Sequence, residues 1–437
     1  MAKIVFIGAG SGFGTRLSRD IMSHEPLRDS MLCLVDINER HLGAVEDMAR
    51  ETVRQHKLPT QIEASADRRK VLEGADYVIT SISVGGPAYD GVPFYHEIEI
   101  PAKYGIFQGV GDTVGPGGVM RTLRTAPVMV EICRDIEELC PDAWLINYVN
   151  PMAMLQWTMT AASSVKTVGL CHSVQGTANQ LARYIGAPTE GITYWCAGIN
   201  HMAWYLEYAW NGEDAYPKIR AAADDPEIYA KDSVRFEIMK HFDHFVTEST
   251  RHMSEYVPYF RKNREVIEGF NLGVMQPNKV SAERRWEWLE ETRKQLKEAE
   301  EPQELKPSGE YASYIIRAIE TGESFRFNGN VPNRGIITNL PPECCVEVPC
   351  LVDKTGVRPC HVGDLPPQLA ALNGSSIALQ ELTVEAVLER DLHKAEMAMK
   401  LDPLSAAICT LAELDEMVKE LYAACAPWLG YYKETGG

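Results

Sequence analysis

Ile4-Val5-Phe6-Ile7-Gly8-Ala9-Gly10-Ser11-Gly12-Phe13-Gly14, followed by helical spacing from Thr15 to Ser23, decides the fold. The apolar residues after Lys3 read as a buried strand. A strand that breaks into glycines and then into a helix is the opening of a Rossmann unit. The glycines permit a tight turn, and the helix N-terminus offers free N–H groups and a positive dipole end to a pyrophosphate. Gly8, Gly10, Ser11, Gly12 and Phe13 are therefore the candidate cofactor contacts. The run departs from G-x-G-x-x-G because Phe13 holds the last position; with Gly12 and Gly14 on either side, the close-packing glycine is expected to be shifted. A second strand, Leu32-Cys33-Leu34-Val35, ends at Asp36. An acid there suits the ribose hydroxyls of NAD and repels the extra phosphate of NADP. The other role open to Asp36 is that of a helix N-cap.

Working outward, residues 38–56 read as an amphipathic helix, Ile62 and Ala64 as part of a short strand, and 76–82 as a strand. That completes a β-α-β-α-β half. The connection 85–117 is long for a compact domain. Within it, Gly115-Pro116-Gly117-Gly118 reads as either a turn or a ligand-facing loop, ahead of a helix over 119–139. The strand 143–149 ends at Asn150-Pro151, where the proline can open the next helix. Asn150 then either caps that helix or reaches into the crevice.

The next apolar run ends at Val168-Gly169-Leu170 and gives way to Cys171-His172 and a helix through Ala178 to Tyr184. Cys171 and His172 thus stand at the carboxyl edge of the sheet, where doubly wound proteins bind ligands. Thirty residues on comes Gly198-Ile199-Asn200-His201-Met202. One thiolate and one imidazole leave several coordination positions open, the layout of a catalytic metal site. Softness alone favours zinc; hydroxyl oxygens in the open positions shift the preference toward a harder ion.

After residue 201 the pattern changes. A strand is expected over 201–210, helices near 226–241 and 281–300, and short strands over 325–352 with turns at Asn328-Gly329-Asn330 and Pro341-Pro342. Residues 366–424 are helical, with a Leu/Ala/Met stripe that reads as core. There is no repeat and no low-complexity linker. The expected architecture is α/β: a Rossmann-type doubly wound sheet in 1–198 for NAD, and an intimately packed α+β domain in 199–437 for substrate, metal and oligomerisation.

The bulk numbers exclude several classes. A net charge of −18, from 61 acidic and 43 basic residues, disfavours nucleic acid and anionic membrane partners. Eleven cysteines without a disulfide framework fit reduced thiols in a cytoplasm. The apolar run at residues 4–7 is too short for a signal peptide. No stretch approaches the roughly 20 apolar residues of a membrane span.

Several stretches together resemble a known family: Gly8 to Ser11, Asp112 to Gly118, Asn147 to Met154, Cys171 to Thr177, Cys196 to Ala203, Lys306 to Ser308 with Glu310 to Ser313, Asn339 to Pro341, Val346 to Val348 and Cys350 to Asp353. The chain resembles glycoside hydrolase family 4, in its α-galactosidase (melibiase) branch, over nearly its whole length. That resemblance implies a fold like lactate and malate dehydrogenases, and a requirement for NAD and a divalent metal, usually Mn2+. It implies oxidation of the sugar at C3, removal of the acidified C2 proton, elimination of the glycosidic oxygen, addition of water at C1 and return of the hydride, the metal acting as Lewis acid on the C2 and C3 oxygens.

Carried over residue by residue, the resemblance makes Cys171 and His201 the metal ligands and Tyr256 the base, with Tyr259 as the neighbouring candidate. Asn150, Asp112 and Asn200 become substrate contacts. A tyrosine near pKa ~10 is a poor base at neutral pH, so a cation is expected beside it. Phosphosugar-specific members carry Asp or Asn after the cysteine and a proline two residues later. His172-Ser173-Val174 stands here instead, which argues for a free hexose. His172 either protonates the leaving oxygen or hydrogen-bonds the sugar. Alternative activities are an α-glucuronidase, α-galacturonidase or α-glucosidase of the same family, then a malate- or lactate-type dehydrogenase, then a non-catalytic NAD-binding protein. A homodimer or homotetramer is expected.

Overall fold

The computed structural model describes residues 1–85, 92–275, 282–299 and 301–432. Six parallel strands form its first half: β1 (Lys3–Ile7), β2 (Met31–Val35), β3 (Gln61–Ser65), β4 (Tyr77–Thr80), β5 (Trp144–Asn147) and β6 (Lys166–Gly169), in the order β3-β2-β1-β4-β5-β6. Their ends are in register: Ile7 pairs with Val35 and Thr80, Thr80 with Asn147, and Asn147 with Gly169. All the carboxyl ends therefore open on one edge. The strands are apolar on both faces because both are covered. Ile4 and Phe6 enter one core, and Val5 and Ile7 enter the other with the C-terminal helices.

The sheet does not stop at β6. It continues through β10 (Phe325–Pro332), β11 (Cys345–Asp353), β7 (Ile192–Ile199), β8 (Met202–Trp210) and β9 (Glu213–Asp214), with β12 (Gly356–Pro359) paired to β11. Gly169, Asn330, Glu347 and Gly198 pair successively, making one transverse row across four strands. Position 198, where the expected first domain ends, lies inside β7.

Several expectations are corrected. The segment 85–117 contains the helix Val92–Lys103. Pro93 and Pro101 disguise it, and its Glu97 is buried where an apolar residue is expected. The Arg124 guanidinium donates two hydrogen bonds to that carboxylate, at 2.7 and 2.9 Å. Gly115 to Gly118 form the first turn of the helix Gly115–Leu139 and are neither a loop nor a free turn. A Cβ on Gly117 would stand 2.3 Å from the Gly111 carbonyl oxygen, and one on Gly118 would stand 2.6 Å from the Thr113 backbone. The glycines let the segment 111–113 lie directly on the helix.

Asn328-Gly329-Asn330 is strand interior, not a turn. The Asn328 amide donates to Cys196 O on β7, beyond β11, at 2.8 Å, and the Asn330 amide to Gly169 O on the neighbouring β6 at 3.3 Å. The helix after Cys171 begins at Ser173, five residues earlier than its apolar spacing suggests. Among the described residues, no helix is long and apolar enough to cross a membrane.

Candidate active site

β1 ends in a turn that its glycines make possible. Gly8 has φ +88°, and a Cβ there would lie 2.2 Å from Ser81 O. The N–H groups of Gly8 and Ala9 both donate to Val35 O. Asp36 then fixes the turn: its Oδ2 accepts from Gly10 N and its Oδ1 from Asn38 N, each at 2.8 Å. Burial pushes the Asp36 carboxyl up, and these two backbone N–H groups oppose the shift. The N-cap of the following helix, Glu39–His56, is Asn38 and not Asp36.

Gly14 is the close-packing glycine, because a Cβ on it would sit 1.7 Å from Ala9 O. A Cβ on Gly12 would meet only the tip of Arg285, at 3.4 Å. Ser11 precedes the helix Gly12–Ser23 without capping it through its side chain, which instead bonds Ser81 Oγ at 3.0 Å. Phe13 packs its ring 5.1 Å from that of Tyr148. Next to Asp36 lies a cavity of about 380 Å³ lined by Ile37, Ile82, Val84 and Val128. Ile37 is 91% exposed at the strand end, an apolar surface of the kind that covers a planar ring.

The second half of the site stands at the same edge. Cys171 follows the end of β6, and His201 occupies the tip of the β7–β8 hairpin with φ +62°. The transverse row carries both: Gly169 lies two residues before Cys171, and Gly198 three before His201. Their Sγ and Nε2 atoms are 3.3 Å apart. Two donors bound to one ion at thiolate and imidazole bond lengths stand about 3.1 Å apart at a right angle and about 3.6 Å apart at a tetrahedral one. The pair therefore fits a shared metal. The other ring nitrogen of His201 is buried without a hydrogen-bond partner among the described residues.

Glu347, in the same row, has no exposure at all. Burial raises its carboxyl well above the usual range, Cys171 adds to the shift, and His201, Asn330 and Asn200 oppose it. The Asn200 amide also faces Cys171, whose thiol burial pushes up.

Tyr256 ends the helix Thr250–Tyr256, is 2% exposed, and donates from its hydroxyl to Asn200 O at 3.4 Å. Burial pushes its phenol well above the ordinary value; Thr113 opposes, while Asp112, Glu255 and Glu248 reinforce the shift. Tyr259 is 45% exposed and stacks on Phe242, away from this cluster.

One turn before Tyr256, His252 stands edge-on to His201 with ring centroids 4.6 Å apart. Its Nε2 is 3.9 Å from Asp112 Oδ1, which brings Asp112 to the cluster. Asp112 also pairs with Arg121 at 3.7 Å. Glu255 holds the Asp112 loop in place by accepting from the N–H groups of Gly109, Val110 and Gly111. His172 is exposed at the start of its helix, with Glu310 as a charged neighbour. Asn150 serves its own helix start, its Oδ1 accepting from Met152 N at 3.2 Å.

The structure thus brings Cys171, His201, Asn200, Asp112 and Tyr256 together, and the glycine turn with Asp36. Sequence reasoning missed His252, Glu248, Glu255 and Glu347. A lone acid inside the apolar strand Cys345–Asp353 was the signal for Glu347, and the i, i+4 spacing of Glu248 and His252 the signal for that pair.

Residues 3–187 match the sequence model of Family 4 glycosyl hydrolase, and residues 196–405 that of the Family 4 glycosyl hydrolase C-terminal domain. The chain belongs to glycosyl hydrolase family 4. An alpha-galactosidase from Bacillus subtilis is 40% identical over 99% of this chain and all of its own length. One from Rhizobium meliloti is 39% identical over 98% of this chain and 89% of its own. Among solved structures, a Thermotoga maritima 6-phospho-beta-glucosidase with manganese, NAD+ and glucose-6-phosphate superposes with a TM-score of 0.79 at 21% identity, covering 98% of this chain and 99% of that one. The Plasmodium falciparum malate dehydrogenase superposes with a TM-score of 0.52 at 14% identity over 89% of this chain and 99% of its own. The fold is therefore like that of malate dehydrogenase, as the family resemblance implied, and its first half is the Rossmann-type sheet expected from the glycine turn.

Proposed function

We propose that this family-4 enzyme is an α-galactosidase that works with NAD and a divalent metal, Mn2+, on a small sugar substrate. The observation that carries the reading is the placement of the Asp36-locked glycine turn and the Cys171–His201 pair on one sheet edge. The α-galactosidase relatives and the sequence His172-Ser173-Val174 support a free hexose as substrate. When bound, NAD supplies a reversible hydride acceptor and the metal a Lewis acid.

The chain's own residues divide the remaining work. Asp36 takes ribose hydroxyls through the lone pairs that Gly10 and Asn38 leave open. Gly8, Gly10, Ser11, Gly12 and Phe13 line the pyrophosphate. Cys171 and His201 hold the metal. Tyr256 removes the proton from sugar C2, and His172, exposed at its helix start, protonates the glycosidic oxygen. Asn150, Asp112 and Asn200 fix sugar hydroxyls. Residues 1–198 are assigned to the cofactor, and residues 199–437 to substrate, metal and self-association. Exposed Leu388, Leu401 and Leu411 on the C-terminal helices support a homodimer or homotetramer. Eleven free cysteines support the cytoplasm as its compartment.

The test is p-nitrophenol release from the α-galactoside by protein stripped of bound nucleotide, with NAD+, Mn2+ and reductant present together and then omitted in turn. Loss of turnover without NAD+ or without Mn2+ is expected. Turnover of only the α-galacturonide, α-glucoside or a 6-phosphate analogue moves the substrate. NADH formed from a hydroxy acid, with no glycoside cleaved, refutes the reading.

A further inference from the structure

We propose that His252, oriented by Glu248, is a third protein donor to the divalent metal; this rests on the reading that Cys171 and His201 hold one. Ligand atoms of His201, Glu248 and His252 all lie within 4.8 Å of one another. Glu248 Oε2 is 2.5 Å from His252 Nδ1, and Ser249 Oγ is 3.1 Å from the same nitrogen. With the Glu248 carboxylate and the Ser249 hydroxyl both standing at Nδ1, the ring is held with Nε2 directed away from them. That is the carboxylate–histidine pattern that orients metal-binding imidazoles.

The Nε2 atom faces Asp112 Oδ1, a buried carboxylate oxygen with no hydrogen-bond partner among the described residues, across 3.9 Å. The gap is too long for a hydrogen bond. Nε2 is therefore not engaged by that carboxylate and stays open to an ion. Charge points the same way. Glu248 acts on the Cys171 thiol and Asp112 stands across from His252, so a dication among them offsets an excess of negative charge. Three protein donors also leave adjacent positions on a six-coordinate ion for two vicinal hydroxyl oxygens of a sugar.

The experiment is titration of the metal-free, NAD+-loaded protein with Mn2+, followed by the electron paramagnetic resonance signal of free aqueous Mn2+. His252→Ala is expected to weaken Mn2+ binding more than Glu248→Gln does, and the latter by about 10- to 100-fold. NAD+ affinity and melting temperature stay close to wild type in both. In the Co2+-loaded protein, the ligand-field bands change in His252→Ala while the thiolate-to-cobalt band persists; Cys171→Ser removes that band. His252→Gln, which keeps volume and the contact to Glu248, replaces His252→Ala if the latter melts below assay temperature. Wild-type Mn2+ affinity and an unchanged Co2+ spectrum in the His252 variant overturn this proposal alone. No Mn2+ binding by the wild type overturns the metal reading and this proposal with it.

Discussion

Gly14→Ala tests whether the displaced glycine is the one on which the cofactor turn depends. The added Cβ would sit 1.7 Å from Ala9 O, whereas real Cβ contacts do not fall below about 3.0 Å. The carbonyl and the helix must separate by about 1.3 Å, and neither is a flexible side chain that can swing aside. Overpacking of this kind costs about 1–3 kcal/mol. The part that moves is Ala9 with Gly10, whose N–H is tied to Asp36, so the strain falls on the geometry that receives the pyrophosphate. At 1.4 kcal/mol per tenfold, NAD+ affinity falls by about 5- to 150-fold.

Gly43→Ala, in the helix Glu39–His56, is the control. Its Cβ meets no described atom within 4 Å, and alanine in a helix is favoured over glycine by up to about 1 kcal/mol. It should bind NAD+ within about threefold of wild type. Isothermal titration of NAD+ into nucleotide-stripped protein measures both variants, with thermal melts alongside. Wild-type affinity in Gly14→Ala, or a larger loss in Gly43→Ala, refutes the assignment.

Tyr256→Phe should lower kcat on the α-galactoside by about 10²- to 10⁴-fold, the usual contribution of a positioned base, while Mn2+ and NAD+ affinities hold; a loss under fivefold, or an equal loss in Tyr259→Phe, counts against the role. Glu97→Ala leaves the buried Arg124 guanidinium without its carboxylate and should cost about 3–5 kcal/mol in urea unfolding; a cost under 1 kcal/mol would show that Arg124 finds another partner. Asp402, 1% exposed, has its carboxyl pushed up to about 6 by burial, with Ser405 opposing. Its unfolded value is near 3.9, so the folded state binds the proton more tightly and stability falls as pH rises from about 4 to about 6. Asp402→Asn should remove that fall in unfolding midpoints measured across the window; an unchanged slope refutes it.

What was legible in the sequence was local. The strand, the glycines and Asp36 lie within 34 residues, and their joint reading needs only the Rossmann pattern. Cys171 was legible because it ends an apolar strand, and His201 because it stands in the turn Gly198-Ile199-Asn200-His201. What was not legible depends on pairing across distance. Nothing near residue 169 announces that its neighbour in the sheet is Asn330, or that Glu347 then bridges to Gly198. Asn328-Gly329-Asn330 has turn composition, yet sits mid-strand because its amides are spent on Cys196 and Gly169. The helix Val92–Lys103 hid behind two prolines and a buried acid whose partner, Arg124, lies 27 residues away.

That same long-range pairing brings Tyr256 and the Cys171–His201 pair together. The hairpin tip that presents His201 also supplies the Asn200 carbonyl that accepts the Tyr256 hydroxyl. Around Tyr256, burial is the largest influence and disfavours the phenolate; the nearby Thr113 hydroxyl opposes it, and Asp112, Glu255 and Glu248 add to it. A tyrosine in such surroundings acts as a base only if a cation close by reverses their sum. The donors able to hold that cation, Cys171 and His201, are anchored by the row that also carries Glu347 and Gly198. Strand register, through residues 330 and 347, therefore helps to set the distance between the Tyr256 phenol and the Cys171–His201 pair.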